Sequence, residues 1–547
     1  MRSHELAASG TWIFSALPGL LIALMTAVIT PLSLAAAAAP RLVRRAAWPA
    51  GAALALGLLT RAAPGTALAL VALPYALVAA AAGAVGVGRL LAGAGGACGF
   101  AVAVGLVFVA AAACWLVAAC AGYPLLGYPP FWVLLTAAHF HVAGAALLIV
   151  VGRVAHGRGP AARVIAVACA LAVPLTAAGI HGPRWLEVLA ALGTAASAAG
   201  AGVLLVTWRA PRRRWLARAA GAALLTTMPL AAAFALRDHG AAVTVLGLDP
   251  LASMLVAHGA VNTIVFAGLA LVALATTADP ASWRTAPPLS RLAGGAHIGA
   301  EFLARRGLER ASAPAPRGLV DELADLDHPG LDAAKVAPAI RAFYERTAEH
   351  EMLVRPAWRR GFRLAARAWA RVARRLGQLQ LPVRDEATGA ELRSRIVAVD
   401  AEADGRRAPR SWIRTFPDGR ALYVAVYASH RRGGRAYMNI AFPLPGGNLT
   451  SILRVDHLGD GVTVSTRRGG DCGIWLVARL FGRSIPLRLP LSETIDVWCA
   501  EDPAALAGDG DGDRAWMVGF STVARHRFWI FGIPYLTLRY AMRLRDA

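Results

Sequence analysis

Acidic residues are almost absent from the first half of this 547-residue chain. Up to about Thr277 it consists of Ala, Leu, Val and Gly broken by single arginines, and beyond that point Asp, Glu, Arg and Pro become frequent. One half therefore reads as membrane and the other as water-soluble. Lysine is nearly missing too: of 56 basic residues only Lys335 is a lysine, the mark of a GC-rich genome that writes Arg and Ala freely. Alanine is then weak evidence, and Leu, Val and Ile should set the spans. The six cysteines, Cys98, Cys114, Cys120, Cys169, Cys472 and Cys499, contain no CxxC pair, and four lie in apolar runs. They read as small core residues and give no disulfide framework. No nucleophile elbow, phosphate loop or HExxH occurs, so soluble-type hydrolase and nucleotide chemistry have no support.

What is present is apolar length. Met1–Gly10 carries Arg2, His4 and Glu5, but the run after it is too long for a signal peptide and reads as the first span. Since a bilayer takes about 20 apolar residues per helix, spans are predicted near 12–38 (bent around Pro31), 48–60, 64–82, 97–121, 130–152, 164–180, 186–208, 215–236 and 251–277. Loop charges alternate with this count. Arg41, Arg44 and Arg45 follow the first span, Arg89 the third, Arg153, Arg158 and Arg163 the fifth, and Arg209, Arg212, Arg213, Arg214 and Arg218 surround the exit of the seventh. The intervening loops hold at most an isolated arginine, which predicts a plasma-membrane protein with its N-terminus outside and its C-terminal half in the cytoplasm. The net charge of +23 belongs to this pattern and to anionic lipid, and no nucleic-acid partner is expected.

The expected fold class is an α-helical polytopic membrane domain of about nine helices (1–277), a linker (278–319), and a cytoplasmic α+β domain (320–547) with a mostly antiparallel sheet or open barrel. Within the last, residues 336–380 read as a helical block that Pro356 divides. Its arginines, Arg355, Arg359, Arg360, Arg363, Arg367, Arg371, Arg374 and Arg375, alternate with Trp358, Phe362, Leu364 and Trp369. Two roles fit the stretch 355–375: an amphipathic helix on an anionic membrane surface, or a helix packed on the following domain with its arginines in water. Residues 391–543 show period-2 segments separated by PDG, RRGG, PGGN and LGDG turn signals, which predicts nine or ten short strands. Asp509, Asp511 and Asp513 mimic a calcium loop, but Arg514 and Phe520 break the pattern, and a hairpin turn is expected. Asp456, His457, Asp460 and Asp471 flank turns and are expected in solvent. A barrel beside a membrane could hold a lipid or another apolar ligand.

The motifs TAAHFHVAG (Thr136–Gly144) and HGAVN (His258–Asn262), followed by NIAFPLPGGNLTSILRVD (Asn439–Asp456), DGVTVS (Asp460–Ser465) and LRLPLSETIDVW (Leu487–Trp498), resemble those of the YndJ family of bacterial membrane proteins. The resemblance covers most of the chain and implies the same two-part layout. The family often carries a transporter label, which implies no defined substrate.

Chemistry concentrates in the apolar run Phe131–Val151, which holds His139 and His141. An ionisable group at membrane depth costs roughly 2.5–3.5 kcal/mol on insertion scales, so it faces a bundle interior, a partner or water. Two residues apart on a regular helix, the two rings point about 200° apart and cannot serve one site together. Met254, His258 and Asn262 are spaced i, i+4, i+8 on the ninth span and share a face. Both spans enter from the same side, which puts His139, His141 and His258 roughly 10–16 Å deep, with His181 and His239 at the outer rim. Three uses stay open: interhelical hydrogen bonding alone; a proton or solute path through His139, His141, His258 and Asn262; or a haem or transition-metal site drawn from His139, His141, His181, His258 and Met254.

Overall fold

The computed structural model describes residues 17–60, 64–93, 95–180, 182–209, 213–238, 254–277, 287–311, 315–384, 389–480, 483–502 and 515–545. The chain folds as two units, Met1–Thr285 and Ala286–Ala547.

In the first unit, nine helices among the described residues are long and apolar enough to cross a membrane: α1 (Leu17–Ala36), α2 (Arg41–Leu59), α3 (Thr66–Ala92), α4 (Gly96–Ala121), α5 (Pro130–Ala155), α6 (Pro160–Gly179), α7 (Arg184–Val206), α8 (Arg214–Leu236) and α9 (Met254–Ala275). Arg41, Arg44 and Arg45, expected in a loop, instead open α2, because the helix starts directly after Pro40, whose fixed φ suits a helix entrance. Glycine sets the packing where helices touch most closely. A Cβ on Gly202 of α7 would sit 2.9 Å from the Gly221 carbonyl oxygen of α8, and one on Gly221 would sit 2.6 Å from that of Gly202. This reciprocal approach replaces the hydrophobic drive that lipid cannot supply. Three spans leave regular α geometry in their middles, with π-turns at Met25–Ile29 in α1, Phe140–Ala146 in α5, and Met254–Ala260 and Asn262–Gly268 in α9. The turns of α1 and α5 and the second turn of α9 pack against one another.

Among the described residues the second unit is built on thirteen antiparallel strands, β1 (Glu309–Arg310), β2 (His350–Trp358), β3 (Ala390–Val399), β4 (Arg410–Thr415), β5 (Ala421–Arg432), β6 (Arg435–Leu444), β7 (Gly447–Leu458), β8 (Gly461–Ser465), β9 (Gly473–Leu480), β10 (Arg483–Arg488), β11 (Leu491–Cys499), β12 (Thr522–Ile530) and β13 (Ile533–Leu544). Because β7 pairs with both β6 and β8, β8 with β11, and β13 with β2, ten of them close into a barrel; β1, β9 and β10 stand outside the ring. The four turn signals each join consecutive strands. Between Arg432 and Arg435 the two-residue turn uses Gly433 and Gly434, both at positive φ, as a tight hairpin requires.

Two expectations change here. The helical block over 336–380 is two helices with a strand between them: α11 (Pro338–Glu345) and α12 (Arg363–Leu376) flank β2, which carries Arg355 and Pro356. Pro356 is tolerated because β2 pairs with β3 only through Met352–Val354, so its missing N–H breaks no bond on that side. The stretch expected as a linker is also built into the fold from 287 onward. Strand β5 is buried on both faces, so its outer face needs a cover. Leu292, Ile298, Phe302 and Leu303, the last two on α10 (Phe302–Arg305), provide it by packing on Ile413, Val424 and Val426. A buried ion pair pins this cover: Arg406 holds Asp404 at 2.6 and 2.9 Å, and Ser290 Oγ donates to the same carboxylate at 2.6 Å.

Candidate functional site

The histidines of α5 go separate ways. His141 is buried, and its Nδ1 lies 2.7 Å from the Ala137 carbonyl, which can only accept. The neutral ring therefore carries its proton on Nδ1 and accepts at Nε2. Tyr75 of α3 donates to that nitrogen at 2.7 Å, and Thr30 of α1, 2.9 Å from the tyrosine oxygen, donates in turn. Every donor in the chain Thr30–Tyr75–His141–Ala137 is thereby assigned.

His139 lies on the surface of α5 and faces α9: its ring stacks on that of His258 with centroids 6.3 Å apart. Asn262, one turn on, reaches His258 Nδ1 at 3.3 Å and Thr227 Oγ1 of α8 at 3.0 Å. Thr227 has one hydroxyl proton and a second acceptor, the Ala223 carbonyl, at 2.8 Å. With Thr227 donating to Asn262 Oδ1, the amide nitrogen is left facing His258 Nδ1, and the His258 ring also bonds the Thr227 backbone carbonyl, which can only accept. A carbonyl thus takes a ring proton of His258, as one does at His141.

Of the residues singled out from the sequence, His139, His258 and Asn262 come together, His141 belongs to a different cluster, and Met254 shares α9 with His258 and Asn262 at its described start. His181, His239 and the turn around Asp509 lie outside the described residues. Among the described residues, no three His, Cys, Asp or Glu side chains converge as metal ligands. Sequence reasoning missed Tyr75, Thr30 and Thr227. A lone tyrosine in the middle of ALVALPYALVA was the available signal, since a phenol in hydrocarbon needs a partner.

The second unit holds a cavity of about 820 Å³ inside the barrel. Its wall is apolar and aromatic, including Met352, Trp412, Ile440, Val464, Phe528 and Leu538. Burial raises the phenols of Tyr423, Tyr427 and Tyr540 above their ordinary value, so these three wall residues stay neutral donors. Helix α12 lies along the cavity through Ala366, Trp369 and Val372. Its C-terminal end is anchored where Gln378 donates to the Val424 and Pro443 carbonyls at 2.9 and 3.1 Å. Of the two roles considered for 355–375, packing on the following domain is therefore the one seen for α12. Its arginines point away while Leu364, Trp369 and Val372 remain 76%, 36% and 47% exposed.

Of the groups expected in solvent near the turns, Asp460 is exposed, whereas Asp471, Asp456 and His457 have partners, each in a different place. Asp471 is buried between His430 and Arg432, each 3.0 Å away; Asp456 pairs with Arg454 at 2.7 Å; and His457 accepts from the Asp332 backbone N–H at 2.9 Å.

Nine membrane-length helices followed by an antiparallel barrel around an apolar cavity define a polytopic membrane protein with a ligand-sized chamber in its second domain. The family model described as YndJ-like protein matches residues 20–266, nearly all of the helical half. A protein of Bacillus subtilis strain 168 described as "Uncharacterized membrane protein YndJ" is 30% identical over 348 residues. Over its helical half, this chain is similar to the YndJ-like membrane proteins. The match takes in 62% of this chain and 58% of the relative's own length. No solved structure matches.

Proposed function

We propose that the protein is a membrane-anchored binding protein whose barrel takes up a small apolar or amphipathic ligand, the helices holding the barrel at the lipid surface. The supporting observation is the chamber of about 820 Å³ with an apolar wall and a partly exposed amphipathic helix along it. Its size falls within the ~300–1,000 Å³ of sites that accept small organic ligands. The test is photolabelling of the full chain in membranes with a long-chain alcohol bearing a diazirine, followed by peptide mapping. Labelled peptides from β4, β11 and β12, lost when Ala524 at the cavity wall becomes Trp, support the reading. Labelling confined to α1–α9 overturns it.

A second reading, a transporter-like path past His139, His258 and Asn262, draws support from the stacking of His139 on His258 and from the π-turns that pack beside it, since such turns recur at functional sites. His258→Gln tests it. Hydrogen bonding alone survives the change, whereas a titrating or ligating imidazole does not. Full rescue of any deletion-linked growth or uptake phenotype by the variant would end this reading.

A further inference from the structure

One group in the barrel is out of keeping with its surroundings. Arg414 on β4 points inward, is 3% exposed, and lies on the cavity wall. Its guanidinium carbon sits 3.6 Å from the centre of the Trp412 ring, 5.0 Å from that of Tyr540 and 5.3 Å from that of Tyr423. Nη2 donates to the soft sulfur of Met352 at 3.4 Å, the Tyr540 hydroxyl also bonds the group, and Nε is buried without a partner among the described residues. A guanidinium has five donors and a permanent charge. Buried charges are normally paired, because leaving one unpaired is costly. The other charged wall residue, Glu493 on β11, is held by His526 Nε2 at 2.7 Å. Its Oε2 therefore has a cationic-capable partner, while its Oε1 is buried without one among the described residues; Arg414, by contrast, has no carboxylate bonded to it among the described residues.

From this we infer that the cavity's ligand is an anionic single-chain amphipath, whose carboxylate or phosphate head is taken by Arg414 and the Tyr540 hydroxyl while its chain lies along the apolar wall. This rests on the cavity reading above and names the ligand class. The aromatic rings hold the planar guanidinium in place without consuming its in-plane donors, and a carboxylate or phosphate would meet the free Nε edge with charge-assisted hydrogen bonds. Neutral tyrosine hydroxyls beside it can donate to the same head.

The test compares three photoactivatable probes of equal chain length on the full chain in membranes: a fatty acid, an alkyl phosphate and the neutral alcohol. At least one anionic probe should label cavity peptides at about tenfold lower concentration than the alcohol, the equivalent of one charge-assisted bond. The stronger anion identifies the head group. Arg414→Met should abolish that preference, so that the anionic probes label no better than the alcohol, and Arg414→Lys should keep part of it. Equal cavity labelling by all three probes in the unaltered protein overturns the anionic ligand but leaves the apolar chamber standing. Absence of cavity labelling by every probe overturns both. Because the first comparison uses the unaltered protein, it holds even if Arg414→Met fails to fold.

Discussion

The Tyr75 hydroxyl and His141 Nε2, from helices α3 and α5, lie 2.7 Å apart in the interior of the bundle. The relationship has a fixed direction because the Ala137 carbonyl claims the other ring nitrogen. It marks His141 as a residue that ties α1, α3 and α5 together, in contrast to His139 two residues before it on the chain.

Tyr75→Phe should therefore destabilise the bundle, leaving one buried acceptor on His141 unmet. Interhelical bonds in membranes average about 0.6 kcal/mol, and a buried group left unsatisfied costs about 1–3 kcal/mol. A loss of about 1 kcal/mol is expected from these two figures. The double variant Tyr75→Phe, His141→Phe should lose less than the two single changes together, because it removes both polar partners. Chemical unfolding in detergent measures the cycle; strict additivity would show that the pair is not coupled.

The separation of the two histidines also predicts a crosslinking pattern. In a background without native cysteines, the pairs His139→Cys with His258→Cys and Tyr75→Cys with His141→Cys should each join with a short reagent. The exchanged pair, Tyr75→Cys with His139→Cys, should stay unjoined. Equal yields for matched and exchanged pairs would mean that α5 is not held in the rotation described.

The helical half was legible because lipid imposes a length and a hydropathy on every span, and both survive in the residue order. The divergence of His139 and His141 followed from helix geometry alone. Their partners did not, because Tyr75 and Thr227 lie 66 and 35 residues from the groups they bond, and no local pattern encodes such pairings. In the barrel, alternation and turn residues announced the strands, yet β2 was hidden by arginines and aromatics that also suit an amphipathic helix. Arg414 left a readable sign: Trp412 and Arg414 share one face of an extended strand, so a charge sits beside an aromatic in the inward register. What could not be read was ring closure, since it depends on β7 bonding two neighbours along its length.

A pH effect is expected from His350 at the start of β2. Burial, chiefly, holds its imidazole below the ordinary value, and Arg346 and Arg545 nearby act in the same direction, against the Arg346 carbonyl and Glu349. The unfolded chain then binds the proton more readily than the folded one. This contribution is full above the unfolded value of about 6.5 and declines as pH falls through it toward the folded value. Thermal melting of the second unit, followed by near-ultraviolet circular dichroism of the full chain, should show a midpoint that drops below about pH 6.5. His350→Gln, which does not titrate, should flatten that drop; an unchanged slope would assign it to other groups.

Orientation is the last prediction, and the arginine hydrogen bonds sharpen the charge argument behind it. Arg153 near the end of α5 donates to the Ala36 carbonyl at the end of α1 at 3.0 Å and to Thr277 just past α9 at 3.4 Å. Arg89 near the end of α3 donates to the Ala37 and Ala38 carbonyls at 2.6 and 2.8 Å. Arg158, just past α5, caps Leu204 and Thr207 at the end of α7 at 2.7 and 2.8 Å. The C-terminal ends of α1, α3, α5, α7 and α9 thus share one face of the bundle, where guanidinium groups meet the exposed carbonyls and the negative end of each helix dipole. Arg41, Arg44 and Arg45 at the entrance of α2 join the same face. The opposite face holds the turn Leu125–Gly127, which has no charge. A bilayer retains the arginine-rich face on the cytoplasmic side, so reporters fused at Arg213 and after Pro287 should read cytoplasm and one fused at Tyr128 should read exterior. A cytoplasmic signal at Tyr128 would reverse the orientation and place the barrel outside the cell, and the ligand would then have to be sought among extracellular amphipaths.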